Sequence, residues 1–206
     1  MCSAAGGRIC FQYLVRLVYW NEPGIKMHKM KRKTLLEGRT SMTTIALTKK
    51  LFKLGAFVEE QDNGIEDELY RWHANVFRMA NKNNVIFMNN QTRYNFILFG
   101  VKKVHFKDFN QLFVNSLIEN LQADKIPDSK ITEYVSKANK IKFTKTSNRS
   151  VLGSMTDMVK MTGILILHYP PQEMNSIVIN QKNNRSPLIK LNGYPEQLMK
   201  EALGVQ

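Results

Sequence analysis

From Leu69 onward the chain alternates short aromatic or β-branched runs with asparagine-rich breaks. Leu69-Tyr70-Arg71-Trp72 leads into Asn75-Val76-Phe77-Arg78-Met79, and Asn81-Lys82-Asn83-Asn84 supplies a turn. Val85-Ile86-Phe87-Met88 follows, Asn89-Asn90-Gln91 turns again, and Tyr94 to Gly100 forms a last apolar run. Runs of this kind divided by turn residues predict an antiparallel β-meander. The last run is equally compatible with a helix, because a short apolar run does not fix its period. Ahead of the meander, Thr43 to Thr48 reads as a strand and Leu47 to Gly55 as a short helix. Glu59 to Glu68 carries six acids around Asn63-Gly64, which reads as a solvated loop with a turn.

The pattern then turns helical. Asp108 and Gln111 have the spacing of a capping box, and Phe109, Leu112, Phe113, Leu117, Ile118 and Leu121 recur as one buried stripe. Pro127-Asp128 opens a second helix with Ile131, Tyr134, Val135 and Ala138 on one face. Ile141 to Lys145 alternates like a half-buried strand. Ser147-Asn148 can cap a helix whose stripe is Val151, Leu152, Met155, Met158, Val159 and Thr162. Gly163 to Leu167 reads as core rather than membrane, Pro170-Pro171 ends it, Ile177-Val178-Ile179 reads as a strand, and Pro195 opens a closing helix. Strands early and helices late predict an α+β fold, an antiparallel β-meander followed by packed helices in a single domain. The regular βαβ alternation of a doubly wound sheet is missing from the pattern.

Charge separates the first 41 residues from the rest. They hold eight basic and two acidic side chains, against 22 and 15 in residues 42–206, and the whole chain carries +13. Ile9 to Trp20 is apolar but interrupted by Arg16 and lacks a small-x-small cleavage pattern, and at this length it is too short to span a bilayer. Lys29, Lys31, Arg32 and Lys33 form a basic cluster after Pro23-Gly24. Glu37-Gly38 can be encoded by GAG-GGN, which contains a bacterial ribosome-binding core, three codons ahead of Met42. The expectation is therefore that residues 1–41 are an extension, disordered or a mis-assigned start, and that 42–206 is the domain. Both cysteines, Cys2 and Cys10, lie in the extension. The domain then has no disulfide framework, cysteine zinc site or cysteine nucleophile.

Three strings reach beyond composition: LYRWHANVF at 69–77, FTKTSNRSVLGSMTDM at 143–158 and NRSPLIKLNGYPEQL at 184–198. With TIALTKKL and FMNNQTRYNFILFGVKKVHFK they resemble a bacterial family defined only as a domain of unknown function. Its members look like L-x-W-H-A-N-L-F, then T-N-x-x-T, then T-x-N-R-S-V-L-G-S-M-N-D. Thr156 stands here where the family has Asn. The resemblance implies a bacterial origin and a boundary near residue 44, and it carries no activity.

Chemistry has two candidate places. Lys145, Ser147, Asn148, Arg149 and Ser150 sit at a strand-to-helix junction, where free N–H groups and the helix dipole attract anions. The alternative there is that Asn148 or Ser150 caps the helix and Arg149 pairs with a carboxylate such as Asp157. The second place is Trp72-His73-Ala74-Asn75, in which a strand would turn His73 and Asn75 to one side and Trp72 to the other. Histidine there can act as acid, base or ligand, or simply be a buried, hydrogen-bonded side chain. His73, Asn75 and Asp157 form the possible polar site. His105 and His168 have no partner at ligand spacing, so no metal and no cofactor is expected. Ser150 and Ser154 do not lie in a G-x-S-x-G elbow.

Beyond Glu68 the balance is 19 basic to nine acidic residues with Tyr and Phe interleaved. Basic charge with exposed aromatics suits single strands or RNA, although most of these aromatics fall on the apolar stripes of the core, and a protein that docks on an acidic partner would look the same. The leading expectation is a cytoplasmic, non-enzymatic binding protein for an anionic partner, nucleic acid before protein, with no membrane association. The alternatives are a small phosphoryl-transfer or hydrolytic enzyme using His73 and Arg149, and a structural interaction module.

Overall fold

The β-branched run after Met42 becomes strand β1 (Met42–Leu47), and the Lys/Leu stretch behind it becomes helix α1 (Lys49–Gly55). The computed structural model describes residues 42–62, 67–137, 140–168, 175–188 and 191–205. The expectations for residues 1–41 with Cys2 and Cys10, for Asn63-Gly64, for Ala138 and for Pro170-Pro171 lie outside the described residues. The expected meander forms from β2 (Arg71–Met79), β3 (Lys82–Asn89) and β4 (Asn95–Leu98), each antiparallel to the next. Its first turn is tighter than the asparagine run suggested, with only Ala80 and Asn81 between strands, both at positive φ.

Two strands extend this meander into a mixed sheet. β5 (Lys140–Lys145) joins at the far edge, giving the order β4-β3-β2-β1-β5, with β1 parallel to both β2 and β5. The fold is α+β in one domain, with β1 and its neighbour β2 parallel and joined through α1.

Alternation divides the core. Trp72, Ala74, Phe87 and Phe96 face Phe109, Phe113 and Leu117 of α2 (Phe109–Ala123) and Ile131 and Tyr134 of α3 (Asp128–Lys137). On the opposite face Ile86, Met88 and Ile97 meet Val151, Met155 and Met158 of α4 (Arg149–His168). Gly163 to Leu167 is continuous with α4. That helix is long and apolar enough by length and composition to cross a membrane. Its buried residues nevertheless form one stripe, Val151, Met155, Met158, Thr162 and Ile166, as expected of a helix covering one side of a sheet.

Two local expectations are corrected. The Asp108 side chain makes no cap hydrogen bond, and Gln111 donates to Asn115 along the helix at 2.7 Å instead. Ile177-Val178-Ile179 is helical, within α5 (Ser176–Asn184), started by the Asn175 carboxamide accepting the Val178 N–H at 2.9 Å. Tertiary contacts override β-propensity here. Asn180 takes the Ile97 N–H at 2.9 Å and donates to Asn120 of α2 at 3.0 Å. Asn184 takes the Asn95 N–H and donates to the Asn95 carbonyl, both at 2.8 Å. Asn183 donates to Thr162 of α4 at 2.9 Å. The helix thereby closes the free edge of β4 with side-chain amides, satisfying backbone groups that an edge strand leaves open. Helix α6 (Pro195–Ala202) completes the chain, with Met199 buried on the α2/α3 side.

Candidate functional site

The strand period places His73 and Asn75 on the α4 side of β2 and Trp72 on the other, as the alternation predicts. His73 is only 6% exposed. Its Nδ1 lies 2.8 Å from the Thr146 hydroxyl and its Nε2 lies 3.1 Å from Oδ1 of Asn90. In the sheet register, the residue of β1 between His73 and Thr144 is Ala46. Only a methyl stands in the way there, so the loop after β5 can reach across to the histidine.

The helix cap fixes the protons of this cluster. Asn148 accepts the N–H groups of Ser150 at 3.1 Å and Val151 at 3.2 Å through Oδ1, which makes it the N-cap of α4. Its amide NH2 must then point away from the helix, and it donates to Asn90 Oδ1 at 3.3 Å. An oxygen already accepting from Asn148 can only accept from His73, so Nε2 carries the hydrogen. Nδ1 is thereby left to accept the Thr146 hydroxyl proton. Burial holds the ring's pKa down to about 4 despite the Asn90 hydrogen bond, and the charges of Arg93 and Arg71 push the same way as burial. The ring is therefore neutral near pH 7.

The remaining candidates do not converge on His73. Asn75 accepts the Thr48 hydroxyl at 2.9 Å. Asp157 faces Lys160 at 3.6 Å rather than Arg149. Arg149 is exposed at the first position of α4 and forms no ion pair among the described residues, with Ser147 and Ser150 also exposed beside it. Of the cap-and-salt-bridge alternative, the cap forms at Asn148 and the Arg149–Asp157 bridge does not. Lys145 is half exposed and pairs with Glu59.

Sequence reasoning missed Asn90, which reads only as a turn residue, and the bond from Thr146 to a histidine 73 residues away. It also missed the buried Asp124, which accepts the Tyr94 hydroxyl at 2.5 Å. Beside His73 the sheet face stays polar. Thr44 and Thr144 are buried there, and neither hydroxyl finds a hydrogen-bond partner among the described residues. A depression of about 380 Å³ near Tyr194 is lined by Arg185, Glu196, Gln197 and Lys200. Glu196 already pairs there with Arg185 at 2.5 Å and Lys200 at 2.6 Å. Among the described residues no three His, Cys, Asp or Glu side chains gather as a metal would require.

A protein-family model described as a domain of unknown function matches residues 44–198. No curated protein and no solved structure matches.

Proposed function

Because the chain belongs to that family, DUF6933, whose description assigns no activity, we propose a function from the site itself. The protein binds an anionic partner, nucleic acid before protein, at the start of α4. The observation that carries this reading is Arg149, an exposed guanidinium with no ion pair among the described residues, at the amino end of a 20-residue helix between two exposed serines. The helix dipole favours negative charge at that end. Because Asn148 occupies the N–H groups of Ser150 and Val151, the anion would be held by Arg149, the serine hydroxyls and the dipole. Lys145 can join them, since an exposed pair such as Lys145–Glu59 is worth only about 0–1 kcal/mol and exchanges its carboxylate for a phosphate at little cost.

Titrating an oligonucleotide at several salt concentrations tests the reading. Arg149→Ala is expected to fold within about 0.5 kcal/mol of the unaltered protein and to flatten the log affinity against log salt line by roughly 0.7–0.9, one phosphate contact. Arg149→Lys is expected to bind more weakly, because an ammonium lacks the planar bidentate fork. Unchanged affinity and slope in both variants would remove Arg149 from the interface and end the reading.

One observation favours the enzymatic alternative with His73 and Arg149: Nδ1 of a neutral histidine accepts a hydroxyl proton from Thr146. Two others weigh against it. The ring is buried, and a pKa near 4 makes it a weak base near pH 7. Turnover of a phosphate or carboxylate ester that vanishes in His73→Ala and survives surface lysine changes would reverse this order.

A further inference from the structure

We propose that the phosphate backbone of a nucleic-acid duplex lies across a lysine platform built by α1 and the 3-10 turn Lys103–Phe106, an inference that rests on the anionic-partner reading and names its partner. These segments are about fifty residues apart in sequence and are joined through rings, with Phe57 edge-on to Phe52 at 6.2 Å and to Phe106 at 6.1 Å. Around that joint stand six exposed lysines: Lys49, Lys50 and Lys53 on α1, and Lys102, Lys103 and Lys107 at the turn. None forms an ion pair among the described residues. Several cations elsewhere on the surface do have partners: Arg71 pairs with Asp62, Lys145 with Glu59, Lys160 with Asp157, and Arg185 and Lys200 with Glu196. Within the turn segment the one carboxylate is Asp108, so the platform is a concentration of like charge that a polyanion relieves.

The chemistry of the platform selects the partner. Single strands are held by bases stacked on exposed aromatic rings, and the aromatic side chains near this platform are packed into the core. Among the described residues the strongly exposed large apolar side chains are Val58, Val104, Ile164, Leu167 and Tyr194, of which only Tyr194 is aromatic, and it precedes α6. Lysines are flexible point charges that meet phosphates without reading base edges. The platform therefore binds duplex independently of sequence.

Fluorescence anisotropy of the full chain with a 20-base-pair duplex, and with one of its strands alone, tests this. The duplex is expected to bind more tightly, and the sequence of the duplex is expected not to matter. Lys49→Gln with Lys50→Gln and Lys53→Gln should reduce the salt slope by roughly 2.7, about 0.9 per contact. The triple variant at Lys102, Lys103 and Lys107 should do the same, while Lys→Arg versions keep the slope. Unchanged slopes in both triple variants overturn the platform, and if Arg149→Ala alone weakens binding the anion site at α4 survives without it. A single strand bound as tightly as the duplex overturns the choice of partner. No binding of any oligonucleotide at low salt, with an acidic protein captured instead, overturns this inference while leaving the anionic-partner reading in place.

Discussion

Replacing Trp72 by alanine is expected to lower the unfolding free energy by about 3–5 kcal/mol, the usual loss for a large aromatic removed from a core. The indole is 1% exposed and lies between Phe96, at 5.8 Å between ring centres, and Phe113, at 5.3 Å. Its Nε1 donates to the Tyr134 hydroxyl at 3.1 Å, and that hydroxyl donates to the Leu69 carbonyl at 2.6 Å. Alanine removes the packing on both rings and leaves the Tyr134 oxygen with a buried lone pair unfilled. Trp72→Phe keeps most of the apolar contact and loses the donor, so the difference between the two variants separates packing from hydrogen bonding. Urea denaturation of both measures it. A loss under about 1 kcal/mol for alanine would mean that Trp72 is not at the centre of this core.

Acid is expected to weaken the fold through His73. Its pKa is about 4 in the folded chain against 6.5 for an unperturbed histidine. Between these values the unfolded chain binds a proton that the folded chain does not, so stability rises with pH across that window. The contribution is fully present above pH 6.5, falls by about 2 kcal/mol on reaching pH 5, and levels at a loss of about 3 kcal/mol below pH 4. Denaturation curves at pH 7.5 and 5.0 measure the step. In His73→Gln it should disappear, because the carboxylates titrate alike in both proteins and cancel in the difference. A step of equal size in both would place the acid sensitivity elsewhere.

The elements visible in the sequence are those whose burial follows a local period. Phe109, Phe113, Leu117 and Leu121 mark the buried side of α2, and the asparagine breaks mark the meander. Strand alternation also correctly turned His73 and Asn75 away from Trp72. What could not be read depends on partners distant in sequence. The parallel pairing of β1 with β2 and β5 is a choice of neighbour, which no period encodes. Helix α5 looks like a strand at Ile177-Val178-Ile179, but only helical spacing lets Asn180 and Asn184 meet alternate residues of β4. Asp157 lies eight positions beyond Arg149, about 12 Å along the helix axis. Lys160, one turn from the acid, is the partner within reach.

The asparagine clasp on β4 makes one strand a timekeeper for one helix. The amide hydrogens of Asn95 and Ile97 point away from β3 and are held by carboxamide oxygens of α5, at 2.8 and 2.9 Å. Their exchange with solvent deuterium therefore requires α5 to lift, whereas the Ile86 and Val85 amides report the opening of the sheet itself. Local openings differ in free energy from one unit of a protein to another. Because α5 also holds α2 through Asn120 and α4 through Thr162, the exchange rates of these two edge hydrogens measure how tightly the helices on opposite faces of the sheet are bound to one another.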